Sequence, residues 1–138
     1  MNISEDLQRT LYAILRAVPE VTSLADGRVF DQVPKSNGEV TAKFPYVSFG
    51  PVNVIDDYAE CVDGETHTLQ LDVWSRAVGQ VECKNIVDGI RRSLNRSQPA
   101  LADNAVVGVN IPICQIVRDP DGLTTHGIIQ VEIMVEVA

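Results

Sequence analysis

Near the end of the chain, Ile129, Val131, Ile133, Val135 and Val137 alternate with Gln130, Glu132, Met134 and Glu136. A period of two puts one set on a single face, so residues 127–137 are predicted to form a strand with one buried side. A second apolar run, 106–117, precedes it, with Asp119, Pro120, Asp121 and Gly122 between the two. Asp suits the first position of a type I turn, and Pro presets φ for the second. Gly accepts the left-handed conformation that closes the turn. The two runs therefore read as a hairpin.

The same alternation recurs over 65–75, where His67, Leu69, Leu71 and Val73 oppose Thr66, Thr68, Gln70, Asp72 and Trp74. Trp74 thus points away from the apolar set, toward a helix or a partner. Residues 45–49 form another strand, interrupted by Gly50-Pro51 and resumed at Val52 and Val54. Helical spacing appears twice. Leu7, Leu11, Ile14, Leu15 and Val18 follow an N-cap assigned to Ser4, with Glu5 and Asp6 in the first turn. Pro19 stops that helix, a short helical turn follows at 21–24, and Asp26-Gly27 breaks it. After Gly79, residues Cys83, Ile86, Val87, Ile90 and Leu94 mark a second helix ending near Asn95. Segments 34–43, 56–64 and 99–104 carry turn chemistry and read as loops. The predicted class is α+β: a mostly antiparallel β-sheet with two main α-helices packed on one face. Length predicts a single domain, 1–138.

Charge narrows the function. Eleven Lys and Arg stand against nineteen Asp and Glu, a net charge of −8. DNA affinity comes mostly from cations neutralising phosphates, so wrapping nucleic acid is disfavoured. Arg91, Arg92 and Arg96 cluster where a helix ends, and cations there complement the helix dipole. No apolar run approaches the ~20 residues that span a bilayer. The N-terminus lacks a signal peptide's basic start and apolar stretch. A soluble protein of the cytoplasm, or of something assembled there, is expected, with no membrane partner. Cys61, Cys83 and Cys114 are odd in number and lack metal-site spacing. Cys83 and Cys114 are expected as buried small hydrophobes, and Cys61 as an exposed loop residue.

Candidate chemistry rests on few groups. His67 falls in the apolar phase of a strand and His126 just before one. A site at either needs further ligands from Asp or Glu, and no spacing such as H-E-x-x-H supplies them. Asp56-Asp57 reads as a solvated pair, and Asp119 with Asp121 as turn residues. The isolated glycines form no phosphate cradle. No catalytic, cofactor-binding or metal-ligating residue is therefore assigned, and no cofactor. The competing reading is a small cytosolic enzyme or metal-dependent hydrolase using His67 or His126 with nearby carboxylates; a cytosolic adaptor is a third. Segments 32–43 and 54–65 are long for so small a domain, and long loops on a rigid scaffold suit protein contact.

Several short motifs follow one another in a recognisable order. Gly27-Arg28-Val29-Phe30-Asp31 and Pro34 come first, then Phe44-Pro45-Tyr46-Val47. The strand Leu69-Gln70-Leu71-Asp72-Val73-Trp74-Ser75-Arg76 leads through Gly79 into the helix of Ile86, Ile90 and Leu94. Arg118-Asp119-Pro120-Asp121-Gly122 and Thr125-His126-Gly127 close the series. This order resembles the tail-completion, or head-to-tail joining, proteins of long-tailed bacteriophages, prophages and gene transfer agents. The resemblance implies a non-enzymatic virion protein at the head-proximal end of the tail. It implies self-association into a hexameric ring that caps the tail tube protein and docks on the head connector or head-completion protein. DNA would pass through the lumen without sequence-specific binding. Gly27 and Pro45 then serve backbone shape, Trp74 packing, and 119–122 the turn. An acidic lumen is expected, since like charge keeps a conduit from holding DNA.

Overall fold

The computed structural model describes residues 2–59 and 62–137. The chain opens with α1 (Ile3–Ala17) and α2 (Pro19–Ala25). Asn2, not Ser4, is the N-cap of α1: its Oδ1 accepts from Glu5 N at 2.8 Å. Asn serves this role as well as Ser, and it lies one residue before the helix starts. Leu7, Leu11 and Leu15 form the buried stripe of α1. Pro19 ends α1 and also begins α2, where a missing N–H costs nothing at the first helical position. The predicted short turn is thus a helix of two turns, and three helices stand among the described residues. Asp26 and Gly27, both at positive φ, close α2.

A two-residue strand, β1 (Val29–Phe30), follows, then β2 (Lys35–Ser36) and β3 (Glu39–Val40). These last two make a small hairpin inside the segment predicted as a loop. Asn37 and Gly38 sit at its turn with φ of 51° and 79°, the backbone that favours Asn-Gly in two-residue hairpins. After the cis Phe44–Pro45 bond come β4 (Tyr46–Ala59) and β5 (Val62–Ser75). Their ladder continues through Asp56↔Glu65, Asp57↔Gly64, Tyr58↔Asp63 and Ala59↔Val62. Residues 56–59 and 62–64 of the predicted polar loop are therefore paired strand ends, and the expected exposed Cys61 lies outside the described residues. Acidic residues and Gly disfavour strands only weakly, and pairing outweighs that preference. The expected irregularity at Gly50-Pro51 is present as a register shift between Phe49 and Val52.

Helix α3 (Val81–Leu94) and the long strands β6 (Ala105–Arg118) and β7 (Thr125–Glu136) complete the chain. The main sheet runs β1-β4-β5-β7-β6, with only β1 parallel to its neighbour. The last strand is therefore interior, and the edge belongs to β6. The three helices pack on one face. Leu69, Leu71, Val73, Ile129, Val131, Ile133 and Val135 meet Leu7, Leu11, Leu15, Ile86, Ile90 and Leu94 in one cluster. Fully burying each such side chain stabilises by roughly 1.5–3 kcal/mol. Gly127 lets α3 approach: a Cβ there would lie 2.5 Å from Val87 Cγ2 and 3.0 Å from Cys83 Sγ. Arg92 ties α3 to α2, reaching Asp88 at 2.8 Å and Glu20 at 3.1 Å. The Asp6 carboxylate accepts from Ala102 N and Asp103 N at 3.1 Å each, fixing the loop before β6 to α1. No helix among the described residues is long and apolar enough to cross a membrane.

Candidate functional site on the open face of the sheet

Strand alternation sends even-numbered residues of β5 and β7 to the face without helices. Cross-strand register then lines them up in rows: Tyr46–Trp74–His126–Val117, Ser48–Asp72–Ile128–Gln115, and Gln70–Gln130–Ile113. A polar network runs through all three rows. The His126 ring stacks on Trp74, with centroids 3.8 Å apart and planes at 11°. His126 Nε2 lies 2.7 Å from Asp72 Oδ1, which also accepts from Gln70 Nε2 at 2.8 Å. Gln130 Nε2 donates to Gln70 Oε1 at 3.2 Å. Trp74 Nε1 donates to Ser48 Oγ at 3.1 Å. Asp72 is 7% exposed, so its charge is held by these donors rather than by water.

A cleft of about 270 Å³ adjoins the first row, with Tyr46, Ser48 and Trp74 as its floor. Lys35, Val40 and Phe44 form one wall, and Arg76, Asp121 and Thr124 the other. Arg76 lies over the Phe44 ring at 4.2 Å and donates to Thr124 Oγ1 at 3.2 Å. Asp121 is committed to its turn. It accepts from Leu123 N at 2.8 Å and Thr124 N at 2.9 Å, and Thr124 Oγ1 donates to it at 2.7 Å. The Thr124 hydroxyl and these N–H groups hold its carboxyl below the usual aspartate range. Burial pushes the Tyr46 hydroxyl up.

The two histidines do not share a site. His67 lies on the helix side and His126 on the open side. His67 is 2% exposed, and neither ring nitrogen has a hydrogen-bond partner among the described residues. Glu65 Oε1 is 3.6 Å from its Nε2. An unpaired buried polar group costs roughly 1–3 kcal/mol, so His67 is a burden on the core. His126 has its carboxylate, but no described hydroxyl or thiol bonds its other nitrogen, where a nucleophile would have to stand. Among the described residues no three His, Cys, Asp or Glu side chains gather to hold a metal ion. Asp56 is exposed at a strand end. Cys83 is buried, and burial foremost, then Glu82, pushes its thiol up to about 11. Cys114 is only half-buried, because it sits on the edge strand. The Arg91 and Arg92 pairs with Asp88 and Glu20 give that cluster a structural role. Sequence reasoning found Trp74 and His126 but missed their stacking and the Asp72 contact. The signal available was the shared even phase of 70, 72 and 74.

The molecule is thus a helix-backed, mostly antiparallel sheet whose other face carries no helix and mixes polar side chains with exposed apolar ones. Residues 9–136 match the tail completion protein gp17 family, and the chain belongs to that family of virion structural proteins. A chain of the solved "Virion of native gene transfer agent (GTA) particle" has the same fold. The TM-score is 0.85 at 23% identity, over 98% of each chain. No curated protein matches the sequence.

Proposed function

We propose that this single domain is a non-enzymatic subunit of the head–tail interface. It self-associates into a hexameric ring that caps the tail tube protein and joins it to the head connector. DNA passes through the lumen, which the open sheet face lines. Family membership supports the class of protein. The observation that carries the assignment of the lumen is the charge of the open face. Its rows from Ser48 to Met134 contain Asp72 and Glu132 but no Lys or Arg. Such a surface does not hold phosphates. Residence in the virion, at the head-proximal end of the tail, follows from this role.

Deleting the gene in a producing strain tests the role. Full heads separated from tails, or tails of uncontrolled length, are expected. Normal, infectious particles from the deletion strain contradict it.

A further inference from the structure

The main sheet has two runs of strand edge with no strand partner among the described residues. On one side β1 pairs only with Val47 and Ser48. Val47 N points outward there, donating to Arg28 O at 3.0 Å. The register across the bulge, Phe49↔Leu71 then Val52↔Leu69, carries that outward phase to Val52, Val54 and Asp56. On the other side, β6 is partly covered. Arg96 N donates to Val109 O at 2.9 Å, Gln98 Nε2 to Val107 O at 2.9 Å, and Ile111 N to Asn95 Oδ1 at 3.0 Å. Val109, which points outward, stands opposite Ile133. Cys114, Ile116 and Arg118 stand opposite Ile129, Gly127 and Thr125, the same odd phase, so they also point outward, and they are uncovered.

We infer that these two runs pair with each other between neighbouring copies of this chain. The inference rests on the ring reading above and names its contact. Proteins blunt strand edges with proline, bulges and inward charges. Here Pro51 and Pro112 with their register shifts stand just before the free runs and not within them. Both runs carry exposed apolar side chains: Val52 54%, Val54 47% and Ile55 59% on β4, Ile113 47% and Val117 41% on β6. Charge is complementary. No Lys or Arg lies between Lys43 and Arg76, whereas 105–117 carries no charged residue and Arg118 ends the strand. No like charges therefore oppose each other.

Direction and stagger also agree. β4 and β6 run oppositely within the sheet, so β6 of one copy beside β4 of the next continues the antiparallel alternation. Each free run is the second half of its strand, so pairing staggers one copy against the next. A closed sheet of tilted strands requires such a stagger, and a contact between two different patches closes into a ring when its rotation allows. The bulky helix layer then faces outward and the open face inward.

Cysteine cross-linking tests the contact. Cys114 is already on the β6 edge, on the helix side, as is Val54. Full-length protein with Cys61→Ser and one of Val52→Cys, Val54→Cys or Asp56→Cys is oxidised mildly under ring-forming conditions. A ladder of covalent multimers from at least one position, abolished by Cys114→Ser, is expected. Rings seen by negative stain with no ladder from any position overturn the edge contact and leave the ring standing. Absence of rings with and without tail tubes overturns the ring reading itself. Val54→Pro breaks no hydrogen bond of the β4–β5 ladder, since that N–H points outward, and proline is tolerated on such an edge, so the monomer should keep its near-ultraviolet dichroism while ring assembly weakens at least tenfold. Unchanged assembly counts against the contact.

Discussion

On the helix side of the sheet, Leu69, Leu71, Ile129 and Ile133 are sealed against three helices. On the other side, the same strands present Gln70, Asp72 and Gln130 in a hydrogen-bonded layer with no helix above it. One face is ordered by exclusion of water, the other by pairing of polar groups. The first determines whether the chain folds. The second is free to meet something else. A substitution should therefore read differently according to which face it alters, even between adjacent residues.

Leu71→Ala should have the largest effect, a loss of about 3 kcal/mol from the transfer and cavity terms, read as a shift in the denaturant midpoint. A loss under 1 kcal/mol would mean that the helix face is not closely packed. Gly127→Ala should cost roughly 1–3 kcal/mol by overpacking against Val87 and Cys83. A neutral result would show that α3 can retreat. His67→Leu works the other way. Removing a buried imidazole with no hydrogen-bond partner among the described residues should raise stability by roughly 1 kcal/mol, and a loss would show that the Glu65 contact at 3.6 Å matters.

Asp6→Asn adds a pH signature. Backbone N–H groups of Asp103 and Ala102 hold the Asp6 carboxyl below the ordinary aspartate range. A depressed folded value means the stabilisation is present above the unfolded value and is lost as pH falls through the folded one. The gap in melting temperature between wild type and variant should be open at pH 7 and close in strong acid. A gap independent of pH would assign the effect to shape and not charge. Gln130→Ala, on the open face, should change stability least, within about 0.5 kcal/mol.

Much of the buried face was legible in the sequence because periodicity records burial directly. The alternation of 129–135 and the spacing of Cys83, Ile86, Ile90 and Leu94 needed no further context. The 119–122 turn was legible because its residues each have a backbone reason to be there. What escaped lay in pairing. The acidic segment 56–64 looked like a loop because its composition is that of a loop, and only the β4–β5 register shows residues 56–59 and 62–64 paired. Asn37-Gly38 carried a hairpin signal, but two-residue strands leave no alternation to detect. The Asp72–His126 contact joins residues far apart in sequence, and only the β5–β7 register brings them together.

The central claim is that a folded monomer with a bare sheet face becomes a ring on the end of a tail tube. The most direct measurement adds purified full-length protein, over a wide concentration range, to tail tubes assembled without it, and images them by negative stain. The account predicts a closed ring capping one end of each tube, its helices outward. Tube ends left bare at every concentration, with the protein monomeric by light scattering, would contradict it.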